Sequence, residues 1–351
     1  MLDPVGGNHG DVSQPHVPTL VGGSAAAASA AATWREDLRA VRADACGLDP
    51  EAMGLPPVAV ALVTDGTGPF LKTRLADPEV LLVGLLAPEP LESLAWASSY
   101  GADRAYLDLP ALVGDRVEVV VVDLAGTAGL RTAEVLVDAG LGVVLTRPEP
   151  SPVSVLRDLA ATAEVAGVAV GAVLGSRTRP SVAVLADEIP RVAPLRQVTV
   201  TGWPIGAAAR LHLVDLVRRL AGDVVAVCAA PGAMPATSLG DRLPVTLALL
   251  TNDAVTVLVS ESADGHWGSA LVTASGTGRL VLQGDQVLRQ DARGVLAVPV
   301  SEAPACAVGR LAGLLAAGDL GSAASLADLL AASRVLDIAR ASLEAGCWLE
   351  N

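Results

Sequence analysis

Through its first half the chain repeats one pattern: a short run of Val, Leu and Ala too apolar to alternate, then residues spaced as an amphipathic helix. "PPVAVALV" predicts a strand over 58–63, followed by the turn "TDGTGP" and a helix beginning near Pro69. "EVLLVGLLA" (79–87) predicts a second strand, and "PLESLAWASSYGA" a helix with Leu91, Leu94, Ala95 and Ser98 on roughly one side. "VEVVVVDLA", "GVVLT" and "VAVGAVLG" give three more strands, separated by the helices "AGLRTAEVLVDAG" and "SVLRDLAATAEVAG". Continuous apolar runs suit strands buried on both faces, and strand–helix alternation implies a parallel sheet with right-handed crossovers.

After about residue 177 the texture changes. One long helix, about 205–221, precedes the strands "VTLALLT", "AVTVLVSES", "GSALVTASG", "GRLVLQG" and "QVLRQ", joined by turns that suit antiparallel connections. "AVGRLAGLLAAG" and "SLADLLAASRVLDIARASLEAG" close the chain as helices. The fold class expected is therefore α/β: a Rossmann-type parallel-sheet domain over 56–176, then an α+β domain over 177–351 with an open, largely antiparallel sheet. Residues 1–55 read as an appendage, Gly- and Pro-rich and disordered at first, with a short helix starting at Thr33.

Composition narrows the function classes. The 351 residues are 52% hydrophobic but hold only five Trp, two Tyr and one Phe, so no aromatic platform for stacking bases is expected. A net charge of −14 with scattered basic residues argues against nucleic-acid binding. Lys72 is the only lysine, a bias read as GC-rich coding, which weakens any inference from a single Lys-to-Arg exchange. Cys46, Cys228, Cys306 and Cys347 are far apart and read as reduced thiols. No segment reads as a signal peptide or membrane span, so a cytoplasmic protein is expected.

Four places carry candidate chemistry. The turn after the first strand is where a dinucleotide-binding fold presents G-x-G-x-x-G; here it reads Thr64-Asp65-Gly66-Thr67-Gly68-Pro69. Gly66, Thr67 and Gly68 are either a phosphate loop or an ordinary turn, and Asp65 brings negative charge to a loop meant for an anion. At the end of the second strand Ala87 takes the expected acidic position, and Glu89 is two residues on; it could hold a ribose hydroxyl and would repel a 2′-phosphate, favouring NAD over NADP. His212 and Asp215 are i,i+3 neighbours, either a proton-handling pair or the polar face of an amphipathic helix. Arg147 ends a strand in Thr146-Arg147-Pro148, and a guanidinium with a pKa above about 12 is a poor proton carrier. His266 and Trp267 read as a hairpin tip, Tyr106 as packing, and Asp37, Asp44 and Asp49 as a solvated face. The tail histidines His9 and His16 are read as solvated, so no metal site is expected.

The order of these pieces, over residues 56–346, resembles the Gfo/Idh/MocA oxidoreductases. "VVVVDLAGTAGLRTAEVLVDAGLGVVLTRP" follows that family's strand–helix–strand segment, with Thr146-Arg147-Pro148 for its Glu-Lys-Pro. Ala208, His212, Asp215, Leu220 and Gly222 fall on its D-x-x-x-H-x-x-D-x-x-x-x-L-x-G segment. The resemblance implies hydride transfer between NAD or NADP and a sugar, polyol or related carbonyl, with Gly66, Thr67, Gly68, Glu89 and Pro148 at the cofactor and Arg147, His212 and Asp215 at the chemistry. It also maps the family's lysine to Arg147, its first aspartate to Ala208 and a frequent histidine to Gly129. "LLVGLLA" and "DLAGTAGLRTAEVL" are similar to the thiazolinyl imine reductase branch, which would make the substrate an assembly-line intermediate. That branch's tyrosine is absent from Leu174-Gly175-Ser176-Arg177. The motif is thus degenerate. The expected function is an oxidoreductase on a small carbonyl, imine or sugar-like substrate, acting as a homo-oligomer; the alternative is a non-catalytic binding or scaffold subunit of the same fold.

Overall fold

The computed structural model describes residues 18–44, 57–66, 80–175, 177, 179–231, 245–262, 271–275, 277–300, 312, 315–316 and 324–351. The helix expected near Pro69, residues Thr67, Gly68, His9, His16, Cys46, Asp49, His266, Trp267 and Cys306, and most of the helix expected over 307–318 lie outside these. The described part contains eight helices and two sheets.

The first sheet is built on β2 (Val58–Thr64), β3 (Val80–Leu86), β4 (Arg104–Tyr106), β5 (Val119–Asp123), β6 (Gly142–Leu145) and β7 (Val170–Ala172), with β1 (Thr19–Val21) at one edge. The strand order is β1-β4-β3-β2-β5-β6-β7, all parallel, and the short β16 (Ala324–Ser325) adds an antiparallel edge beyond β7. Counted from β2, this is the 3-2-1-4-5-6 order of a doubly wound dinucleotide-binding sheet, whose ligands lie at the carboxyl ends where the order reverses. That reversal falls between β2 and β5, where Thr64 pairs with Asp123. The continuous apolar reading holds at β5, where all five residues are buried. Helices α2 (Pro90–Tyr100), α3 (Leu109–Val113), α4 (Gly126–Asp138) and α5 (Val153–Ala166) make the crossovers.

Local chemistry fixes several joints. Asp108 caps α3 by accepting the Ala111 N–H at 2.8 Å. Tyr106, fully buried, lies over Gly84 so closely that a Cβ there would stand 2.6 Å from the ring's Cζ, and its hydroxyl donates to Asp115 at 2.8 Å. Arg104 closes the same pair. Burial, with Asp115 beside it, pushes the Tyr106 phenol well above its ordinary range, so Tyr106 packs and does not titrate. In α2 the buried residues are Ser93 and Ala97, whereas Leu91 is 79% exposed.

The N-terminal extension departs from its expectation. Its helix α1 (Ala25–Asp44) begins eight residues before Thr33, and β1 pairs with β4 at the sheet edge. Alanine is the best helix former, and Ser24 accepts the Ala27 N–H at 3.2 Å at the helix start. Arg35, 4% exposed, donates to the carbonyls of Val113, Asp115 and Ala139, tying α1 to the domain.

The second domain holds α6 (Pro180–Val192), β8 (Leu195–Pro204), α7 (Ala207–Ala221), β9 (Val224–Pro231), β10 (Val245–Thr251), β11 (Thr256–Ser262), β12 (Leu271–Ser275), β13 (Gly278–Gln283), β14 (Gln286–Asp291), β15 (Gly294–Val298), α8 (Leu326–Ala345) and β17 (Leu349–Glu350). Its strands run β15-β14-β13-β12-β8-β11-β10-β9-β17, antiparallel except for the parallel pair β8–β11. Helix α6 and strands β8, β9 and β15 add to the elements legible in the sequence. Helices α6, α7 and α8 pack on this sheet, and one continuous apolar core joins it to the first domain.

Candidate functional site

The carboxyl ends of β2, β5, β6 and β7 gather the candidate residues. Asp123, 2% exposed at the end of β5, is held by two hydroxyls. Thr64 Oγ1 donates to its Oδ2 at 3.2 Å and Thr146 Oγ1 to its Oδ1 at 2.6 Å. Arg147, just beyond β6, brings Nε within 3.4 Å of the same carboxylate and donates from Nη2 to the Asp123 carbonyl at 3.1 Å. Its Nη2 also pairs with Asp65 Oδ2 at 2.6 Å. The arginine standing at the lysine position therefore bridges the glycine turn to the buried aspartate.

This pairing changes the meaning of Asp65. From sequence its charge argued against an anion; in the folded chain Arg147 balances it. The first position of the turn is also accounted for: Thr64 Oγ1 accepts the Gly66 N–H at 3.0 Å, closing a local hydroxyl turn. Gly66 needs to be glycine twice over, since its φ is +74° and the Trp96 indole of α2 occupies the space a Cβ would fill. Glu89 is the N-cap of α2 yet makes no side-chain cap bond, so its exposed carboxylate stands at the end of β3. Pro148 is buried, and Glu149 Oε2 leans on the start of α4, 2.9 Å from where a Cβ at Gly126 would be.

His212 comes to the same end of the sheet from α7. Its Nδ1 accepts the Gly175 N–H at 2.8 Å, and Gly175 lies three residues past the end of β7, the strand that pairs with β6. An acceptor Nδ1 places the ring proton on Nε2. Burial lowers the imidazole pKa from 6.5 to about 4, with Asp215 pulling weakly the other way, so His212 is neutral near pH 7.

Asp215 is not the partner that orients His212. It is fully buried and takes a two-pronged pair from Arg177, Nε to Oδ2 at 2.8 Å and Nη2 to Oδ1 at 2.6 Å. Arg177 also reaches Asp328 at 3.1 Å, and Arg218 joins Asp328 at 3.2 Å. Asp328 is itself the third residue of a capping box with Ser325 at the start of α8. One network thus ties the segment after β7 to α7 and α8, holding His212 against Gly175. In the sequence Arg177 marks only a missing tyrosine; its role has no local signal, because the partner lies 38 residues away.

Of the two positions that resemblance maps to other residues, one is explained by space. At Gly129 a Cβ would meet the Leu124 carbonyl oxygen at 2.5 Å, so no side chain fits there while that loop stays in place. Ala208 sits half-buried in the first turn of α7 and leaves His212 without a carboxylate one turn before it. Among the described residues no group of three or more His, Cys, Asp and Glu could hold a metal, and no helix is long and apolar enough to cross a membrane. A cleft of about 250 Å³, lined by Arg35, Glu118, Gly142 and Gly167, lies at the amino ends of the strands, away from these residues.

The sequence matches no known family profile and no curated protein. Solved structures do match the fold. An oxidoreductase from Agrobacterium radiobacter, solved with NAD+, L-tartaric acid and magnesium, superposes with a TM-score of 0.72 at 14% identity, over 84% of this chain and 98% of that one. Aldose–aldose oxidoreductase from Caulobacter crescentus gives 0.72 at 16%, over 84% and 100%. Levoglucosan dehydrogenase, solved with NADH and L-sorbose, gives 0.71 at 15%, over 84% and 99%. The strand order of the first sheet, the open second sheet and these superpositions agree: the chain has the two-domain fold of the Gfo/Idh/MocA-type oxidoreductases.

Proposed function

We propose that this chain is an NAD(P)-dependent oxidoreductase that reduces a small carbonyl, imine or sugar-like substrate at the carboxyl ends of β5, β6 and β7, as a cytoplasmic homo-oligomer. The observation that carries the reading is His212, held neutral beside Gly175 at the end of a sheet with dinucleotide-binding strand order. Gly66, Thr67 and Gly68 would hold the pyrophosphate, Glu89 the adenosine ribose and Pro148 the face of the ring. Glu89 favours NAD, because a 2′-phosphate beside its carboxylate would be repelled. The pairing of Asp65 with Arg147 makes the turn compatible with an anion. When bound, the nicotinamide supplies the hydride.

The residues of the chain do the rest by orientation and electrostatics. A substrate oxygen or nitrogen arriving at His212 meets Nε2–H, a neutral donor that stabilises negative charge as it develops. What His212 supplies is a hydrogen bond, not a proton; the proton that completes the reduced product comes from solvent water. This revises the expectation that a surviving histidine acts as the acid, because burial removes its charge at neutral pH. Arg147 keeps the turn and the buried Asp123 in register and contributes fixed positive charge without giving up a proton.

Two measurements follow. Hydride transfer from NADH to a panel of sugar-derived carbonyls and cyclic imines should be detectable and stronger than from NADPH; transfer to none of them would count against the reading. Asp65→Asn removes a negative charge from the turn and leaves Arg147 with more positive field for phosphate. It is expected to tighten NADH binding by about three- to tenfold at low salt, an effect that shrinks as ionic strength rises. Unchanged affinity would mean that Asp65 does not face the phosphates.

A further inference from the structure

In a chain of net charge −14, positive charge gathers in a cleft of about 270 Å³ where α5 of the first domain meets α7 and α8 of the second. Arg157 of α5, Arg218 near the end of α7 and Arg334 of α8 line it. On α8, Ala327, Leu330, Ala331 and Arg334 recur every three or four positions and share one helix face, so a short apolar stripe ends in a guanidinium. Val153 and Val224 extend the apolar wall.

The three arginines are not equivalent. Arg218 is committed: it pairs with Asp223 at 2.8 Å and with Asp328 at 3.2 Å, which fixes it as a wall of the cleft. Arg157 and Arg334 are exposed and make no hydrogen bond or ion pair among the described residues. The acids closest to them along their helices do not serve them. Asp337, one turn after Arg334, pairs with Arg340 at 3.4 Å. Asp158 follows Arg157 directly and so lies about 100° round the helix. A lone exposed arginine needs no partner, but two in one concavity repel each other, and low-dielectric walls strengthen the field an entering anion meets. The planar fork of a guanidinium matches carboxylate and phosphate oxygens.

We propose that this cleft binds a small organic anion, with a phosphate or carboxylate head between Arg157 and Arg334 and an apolar body against Val153, Val224 and Leu330. The cleft shares none of the candidate catalytic or cofactor residues, so the inference stands apart from the dinucleotide reading. A ligand there joins α5 to α8 and therefore stabilises the folded chain. Arg218 and Arg177 share Asp328, so the cleft also adjoins the network that holds His212.

The test follows thermal unfolding of the full chain at constant ionic strength, with inorganic phosphate, phenyl phosphate or benzoate replacing chloride. Phenyl phosphate or benzoate, whichever carries the right head, is expected to raise Tm by about 2–4 °C at tenfold its Kd, and inorganic phosphate by less. Calorimetric titration of Arg157→Gln and of Arg334→Gln with the same probe should show about tenfold weaker binding in each, with NADH affinity unchanged. The larger shift with phenyl phosphate assigns a phosphate head, and the larger shift with benzoate a carboxylate. Shifts no greater than those in chloride for all three probes overturn the proposal. Probe binding that persists in the double variant also overturns it, because the anion then sits elsewhere. A chain that binds the probe through these arginines but takes up no NADH leaves the cleft standing and removes the dinucleotide reading instead.

Discussion

Arg177→Ala is expected to lower folding stability by about 3–5 kcal/mol, the usual cost of leaving a buried charge without its partner. Asp215 is 0% exposed and takes two charge-assisted hydrogen bonds from one guanidinium, at 2.6 and 2.8 Å. Removing that guanidinium strands a carboxylate inside α7, and Asp328 loses one of its two arginines. Urea denaturation of the variant should show a lower midpoint with little change in slope. The double variant Arg177→Met, Asp215→Leu should recover most of the loss, since apolar side chains of similar size fill the site without desolvating charge. Failure of the double variant to recover would mean that Arg177 matters for its contact with Asp328 instead.

His212→Ala is expected to reduce kcat by about 10²–10³-fold, the range for loss of one donor to a developing negative charge. Affinity for NADH should be unchanged, because the ring bonds to Gly175, past the end of β7. The pH profile separates this role from acid catalysis. A neutral donor with a pKa near 4 gives activity that stays level down to about pH 5 and falls only as His212 becomes charged. A histidine acting as a proton donor would instead lose activity as pH rises through 6 to 7. Stability follows the same sign. The folded pKa is below the unfolded value of 6.5, so the unfolded chain takes up the proton first as the solution is acidified. The contribution of His212 is complete above about pH 6.5 and is lost as pH falls through about 4.

How much of this was legible in the sequence depends on the range of the interaction. The buried parallel strands announce themselves, because a strand covered on both faces reads as a continuous apolar run, as in Val119–Val122. Helix α7 was placed within two residues of its observed start by its periodicity. The helix α1 was not, because a run of alanines carries no amphipathic pattern; its signal was propensity and Ser24, not periodicity. The site divides in the same way. Gly66, Arg147 and His212 stand out as candidates in the sequence because each sits at a fixed offset from a strand or within a local spacing. Trp96 on Gly66, Arg147 on Asp65 and Arg177 on Asp215 join residues 30, 82 and 38 positions apart, and nothing local encodes them. His212 and Asp215 are neighbours on one helix as their spacing requires, yet they bond in different directions.

The central claim is that the crevice between β2 and β5 holds a nicotinamide dinucleotide, and calorimetric titration of the purified full chain with NADH and with NADPH tests it most directly. The account predicts saturable binding with a Kd on the order of micromolar to tens of micromolar, with NADH preferred because Glu89, proposed at the adenosine ribose, would repel a 2′-phosphate. No heat of binding for either cofactor at millimolar concentration would contradict it, and would make the chain a non-catalytic subunit on an oxidoreductase fold.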